Sequence, residues 1–140
     1  MRISARCDYA CKALLELSLH WPSSEPLQIQ QISERQDIPF RYLVQILIQL
    51  KRLGLVTSLR GKQGGYNLAK APREISLGEV MREIGGPLLP IAGTAAKEES
   101  VFSGVWKEVE GAMTRILDKV TFEDICDKAK GAEKALIYQI

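Results

Sequence analysis

The chain has 140 residues, 46% apolar and 26% charged, with a net charge of +2. That is the make-up of one globular domain, or of a small domain with an appended element. No 18-residue apolar run is present, so no membrane span is expected, and the charged start Met1-Arg2-Ile3-Ser4 leads into no signal-peptide core. The cysteines Cys7, Cys11 and Cys126 are odd in number and lack framework spacing. They argue against a secreted disulfide scaffold and for a reducing cytoplasm.

The charge is polarised along the chain. Residues 1–73 hold 11 Lys and Arg against 5 Asp and Glu, and residues 74–140 hold 8 against 12, giving +6 and −4. A basic first half suits a polyanion, while the acidic second half suits protein or solvent.

In chain order, Tyr9, Ala10, Ala13, Leu14, Leu17 and Trp21 recur at helical spacing, with Ser4 placed as an N-cap. Pro22, Ser23, Ser24 and Pro26 break the pattern. Leu27, Ile29, Ile32 and Gln36 predict a short second helix, ended by Asp37-Ile38-Pro39. Asp37 tolerates the left-handed backbone that such a turn needs. A third helix runs from about Phe40 to Leu53 on the stripe Leu43, Ile46, Leu47 and Leu50, with Gly54 just beyond it. Leu55–Leu59 and Tyr66–Ala69 then read as a β-hairpin whose tip is Arg60-Gly61-Lys62-Gln63-Gly64-Gly65.

Ser76 and Glu79 form a capping-box pattern that opens a fourth helix to about Ile84, stopped by Gly85-Gly86-Pro87. Residues 87–100 read as a connecting loop. The longest pattern follows: Val101, Val105, Val109, Ala112, Met113, Ile116 and Val120 at helical spacing, widened by Trp106 and Leu117. It implies a helix of roughly 28 Å. A first domain of residues 1–86 would not cover that apolar edge, so Val101, Val105, Trp106, Val109, Met113, Ile116 and Val120 are the candidate dimer surface within 101–140. The alternative is a helix folded back on its own domain. A short helix over about Thr121–Lys130 and a tail complete the chain.

This order defines a mainly α fold, a winged helix-turn-helix with a long C-terminal dimerisation helix. A helix of about 12 Å diameter fits the major groove of B-DNA, the helix before it braces the backbone, and a basic hairpin reaches the minor groove. Off the third helix's apolar stripe lie Arg41, Tyr42, Gln45, Gln49 and Arg52. Arg and Gln pair with guanine and adenine edges, and Tyr42 suits a phosphate. In the wing, Arg60 and Lys62 supply attraction, and Gly61, Gly64 and Gly65 permit close approach. The other reading of these features is an ordinary amphipathic helix followed by a turn that merely needs positive φ. The hairpin lacks the spacing of a nucleotide-binding loop.

The residues that follow resemble the Rrf2 family of bacterial winged-helix regulators. They are Met1-Arg2-Ile3-Ser4, Tyr9-Ala10, Ala13-Leu14, Ile32, Glu34-Arg35-Gln36, Tyr42-Leu43, Gln45, Gly54-Leu55-Val56, Arg60-Gly61, Gly64-Gly65-Tyr66, Leu68-Ala69, Gly78-Glu79-Val80 and Val120–Ile125. The resemblance spans about 1–126 and is thin over 88–103. It implies a homodimeric transcription factor, commonly a repressor, on a palindromic operator. Carried over by position, the DNA contacts are Arg41, Tyr42, Gln45, Arg60 and Gly61, with Arg2 and Ser4 on phosphate. Members related to the iron–sulfur regulator often carry Glu where this chain has Val44; valine accepts no hydrogen bond from cytosine, so a different operator is expected.

Many members bind an iron–sulfur cluster through three cysteines before the long helix. Residues 88–104 hold none here, so no cofactor is expected, because such clusters need thiolates. Asp8 matches a further acidic ligand of some relatives. Cys7 and Cys11 are four apart on one helix face, fitting either core packing or, with Asp8, a redox or metal-responsive sensor that could hold an iron–sulfur cluster. His20 is the only histidine and suits a helix C-terminus, and Cys126 is isolated. No catalytic constellation forms, so an enzyme is not expected. Double-stranded DNA and a second copy are the expected partners, with a small-molecule effector or partner protein as signal and a pocket near residues 85–100. The remaining alternative is a winged helix serving only as a protein-interaction module.

Overall fold

The computed structural model describes residues 2–89 and 100–139. Six helices and one hairpin follow in order: α1 (Ala5–Leu19), α2 (Ile29–Gln36), α3 (Phe40–Arg52), β1 (Val56–Leu59), β2 (Gly65–Leu68), α4 (Leu77–Val80), α5 (Val101–Lys119) and α6 (Phe122–Gln139). A 3-10 turn, Pro72–Glu74, precedes α4, and a wide π turn, Met81–Gly85, continues it.

Local chemistry sets the boundaries. The Ser4 hydroxyl accepts the Cys7 N–H at 3.1 Å and caps α1. Asp37, with φ of 53°, ends α2 in the left-handed conformation. Gly54, with φ of 77°, turns the chain out of α3, and the Ser76 hydroxyl caps α4 through the Glu79 N–H.

The core surrounds α1. Ala10, Ala13, Leu14 and Leu17 meet Ile32 from α2, Ile38 from the turn after it, and Leu43, Ile46, Leu47 and Leu50 from α3. Leu55, Val56, Leu68, Ile75, Val80 and Phe122 close it. The predicted α3 stripe is therefore the buried face of that helix.

Three sequence expectations need correction. Leu27 lies outside α2: it forms an isolated bridge with Tyr66, the two residues exchanging backbone hydrogen bonds of 2.9 and 2.8 Å on the side of β2 away from β1. The segment after Lys130 is helical to Gln139, because Ala132, Glu133, Lys134, Ala135 and Leu136 are strong helix formers and Gly131 alone does not stop them. The C-terminal segment also returns to the first domain. Leu77 N–H bonds Val120 C=O at 2.7 Å, Phe122 N–H bonds Ile75 C=O at 3.0 Å, and Phe122 is fully buried in the main core. A Cβ on Gly78 would overlap Asp118, so α4 and α5 pass closely. Arg82 and Asp118 join across the same crossing at 2.6 Å.

Candidate nucleic-acid interface

The antiparallel wing pairs Val56 with Leu68, Thr57 with Asn67, Ser58 with Tyr66 and Leu59 with Gly65. It stands beside the exposed face of α3. A groove of about 530 Å³ separates them, floored by Phe40 and Lys51 of α3 and walled by Ser58, Arg60 and Lys62 and by Gln28 and Gln30 at the start of α2. A second groove of about 530 Å³ lies on the other side of α3, between Arg41, Tyr42 and Gln45 and the start of α1 at Ala5, Arg6 and Tyr9. The recognition helix therefore forms a ridge between two furrows. Such relief suits a major groove bounded by two phosphate strands.

Arg41, Tyr42, Gln45, Arg60, Gly61 and Lys62 are all exposed and line these two furrows, whereas Arg2, also exposed, lines a separate small space beside Cys7 and Gly85. Among the described residues, Arg2, Arg41, Arg60 and Lys62 have no carboxylate ion-pair partner. Their charge is available to a polyanion. Tyr42 leans on Tyr9 with ring centroids 6.2 Å apart, so its ring is braced and its hydroxyl end is solvated.

Four predicted contacts are already engaged within the chain. Gln49 Oε1 accepts from Arg6 Nε at 3.0 Å and from Arg6 Nη2 at 2.5 Å. The Ser4 hydroxyl oxygen is occupied as the α1 cap, leaving its proton free to donate. Gly64 and Gly65 are demanded by the wing's own packing: a Cβ on Gly64 would overlap the Leu59 carbonyl, and one on Gly65 would overlap the Leu27 carbonyl. Gly61 is the glycine of the open tip, with φ of 107° and empty space around it. The sequence reading missed Arg6 and Lys51, whose Nζ reaches the Ser58 hydroxyl at 2.6 Å and ties α3 to the wing. The spacing of Arg2 and Arg6, four apart at a helix start, was the available signal for the first.

The candidate dimer residues divide. Val101, Val105, Trp106, Val109 and Ile116 are exposed, with Phe102 stacked on Trp106. Met113 packs with Leu117 against the chain's own minor core of Cys7, Met81 and Leu88. Val120 is half-buried at the α5–α6 corner.

Cys7 is buried and Cys11 half-buried, one turn apart on the same side of α1. The Cys11 donor lowers Cys7 from 9.0 to about 7, against burial and the Asp8 charge. Cys11 is pushed up by that same bond, by burial and by the charges of Cys7 and Asp8. A depressed Cys7 adds folding stability as pH rises from about 7 toward 9, and the raised Cys11 withdraws it above that range. In ultraviolet absorbance, one thiolate is expected with a midpoint of about 7. Cys11→Ala should move it up toward the ordinary thiol range while Cys126→Ala leaves it in place; an unmoved midpoint in Cys11→Ala would contradict the assignment.

Asp8 is paired with Lys12 at 2.8 Å. The His20 backbone N–H caps α1 through Glu16 C=O, and its ring lies 2.6 Å from the Glu25 carbonyl, closing the loop after the helix. Cys126 sits beside Ser18 in the last turn of α1, its thiol pushed up by burial. The Cys7 end of α1 adjoins a space of only about 20 Å³, lined by Arg2, Gly85, Gly86, Pro87 and Leu88. That is room for a single water. The expected effector pocket near residues 85–100 falls mostly on 90–99, which lie outside the described residues.

A basic ridge flanked by a hairpin wing and built on a helix-turn-helix core defines a winged helix-turn-helix DNA-binding transcriptional regulator. The chain belongs to the Rrf2 family, whose model, described as an iron-dependent transcriptional regulator, matches residues 3–128. It is 34% identical to the HTH-type transcriptional regulator slr0846 of Synechocystis, over 96% of this chain and 94% of that protein. CymR of Bacillus subtilis, described as its global cysteine regulator, has a structure that matches with a TM-score of 0.79 at 29% identity, covering 91% of this chain and 98% of that one. The structure of T. potens IscR matches with a TM-score of 0.78 at 32% identity, covering 94% and 90%. No helix among the described residues is long and apolar enough to cross a membrane.

Proposed function

We propose that two copies of this chain bind a palindromic operator and repress transcription, with each α3 in a major groove and each wing over the adjacent minor groove. The observation that carries this reading is the pair of furrows beside α3, lined by exposed Tyr42 and Gln45 and by Arg41, Arg60 and Lys62, which have no carboxylate partner among the described residues. Cations at the edges hold phosphate, and the α3 side chains between them reach base edges. The uncovered apolar edge of α5 supports the homodimer.

The residues of one chain do not fit an iron–sulfur cluster. Cys7 and Cys126 adjoin opposite ends of α1, eleven positions apart at Cys7 and Ser18, about 16 Å along the axis. Among the described residues no three His, Cys, Asp or Glu side chains converge on a metal position. A second reading of the signal, favoured by Cys11 one turn from a Cys7 thiol held below the ordinary thiol range, is thiol modification. A small molecule or a partner protein is the other input the family resemblance allows.

Binding to DNA fragments selected from the genome, measured at two salt concentrations against competitor DNA, tests the reading. Arg60→Ala should weaken binding to every sequence and lower the salt slope by about 1 per chain. Gln45→Ala should relax base preference at one position per half-site. Parent-like binding by both variants would overturn the groove assignment.

A further inference from the structure

Resting on that operator reading, we propose that Arg6 determines which base Gln49 selects, by holding the glutamine's carbonyl oxygen so that only its amide N–H groups face the duplex. Arg6 is in the first turn of α1 and Gln49 in the last turns of α3, 43 positions apart, and two guanidinium nitrogens converge on one oxygen. An amide oxygen has two lone pairs, and both are taken. Gln49 lies one turn beyond Gln45, on the same side of α3 as the exposed reading residues.

The consequence is chemical. An unrestrained glutamine pairs bidentately with adenine, its oxygen accepting from N6 and its nitrogen donating to N7. With the oxygen engaged, the adenine amino group meets no acceptor. Two N–H donors remain, and they match an edge that carries acceptors only. Guanine presents two, N7 and O6, and thymine presents O4 beside its methyl group. The Arg6–Gln49 pair therefore selects guanine first and rejects adenine. Arg6 is a positioning residue in this arrangement. It has no carboxylate partner among the described residues to draw it off Gln49.

Selection of bound sequences from a randomised duplex pool tests this, with the full-length parent, Arg6→Ala, Gln49→Ala and the double variant. In the parent, one position per half-site should favour guanine over adenine, and this preference should vanish in Gln49→Ala. Arg6→Ala should turn that position toward adenine by roughly 5- to 100-fold, the range of one bidentate base contact. The double variant should behave there as Gln49→Ala does. Both side chains leave the core untouched, so melting temperatures should agree. A uniform loss of affinity in Arg6→Ala with unchanged preference would mean that Arg6 simply holds a phosphate, and the proposal would be wrong. An unchanged preference in Gln49→Ala would also overturn it. Absence of any sequence preference in the parent would instead overturn the operator reading.

Discussion

Val105→Asp is expected to leave the winged helix folded and to halve the sedimentation mass of the protein. No side chain of α5 is fully buried within the chain, although the helix is 19 residues long. Its inner edge, Met113 and Leu117, rests on the minor core beside Cys7 and Met81. Its outer edge is bare: Val101 is 84% exposed, Ile116 66%, Trp106 44% and Val105 43%. Such an apolar strip suits a protein partner, and in the proposed two-fold dimer a second copy would cover it. An aspartate at Val105 would bring two desolvated carboxylates toward the same axis, at a cost of about 3–5 kcal/mol for an unpaired buried charge. The operator would then be held by one half-site at a time. Loss of the tethered second contact should weaken binding by about 10²–10⁴-fold. Because Val105 touches no part of the main core, the circular dichroism spectrum should match the parent. An unchanged mass would contradict this dimer surface.

Phe122→Ala is expected to destabilise the fold by about 3–5 kcal/mol, the range for a large aromatic removed from a packed core. Domains of this size are stable by only about 5–15 kcal/mol, so the variant would sit near the edge of folding. Phe122 opens α6, is fully buried, and is fixed by its backbone bond to Ile75. The C-terminal segment is in this way part of the DNA-binding domain's core. Leu136, exposed on the far half of α6, gives the comparison: Leu136→Ala should change stability by no more than about 0.5 kcal/mol. Denaturant unfolding measures both, and a loss below about 1 kcal/mol in Phe122→Ala would show that α6 is not part of the cooperative unit.

Elements governed by local chemistry were legible in the sequence. The α3 stripe is set by side-chain period, the Ser4 cap by its own hydroxyl, and the Asp37 turn by a residue that tolerates positive φ. Elements set by distant partners were not. Leu27 carries the apolar period of α2, yet its backbone groups are claimed by Tyr66, 39 positions on. Gly64 and Gly65 suggested an open tip because glycine signals space without saying what fills it; here the Leu59 and Leu27 carbonyls do. Along α5, the period marked an apolar helix but not which edge faces its own domain, so Met113 and Val105 looked alike. At the candidate site, Arg41, Tyr42, Gln45, Arg60 and Lys62 were legible as polar residues on an amphipathic helix and cations in a turn. The bond between Arg6 and Gln49 was not, since no local pattern links α1 to the end of α3.

In the proposed function two chains read one duplex together. Sedimentation of the protein with a selected operator fragment measures it directly. A complex of two chains on one inverted repeat, with half-site centres about one helical turn apart, is the predicted result. A single chain bound per fragment at saturation, with affinity indifferent to the second half-site, would contradict it.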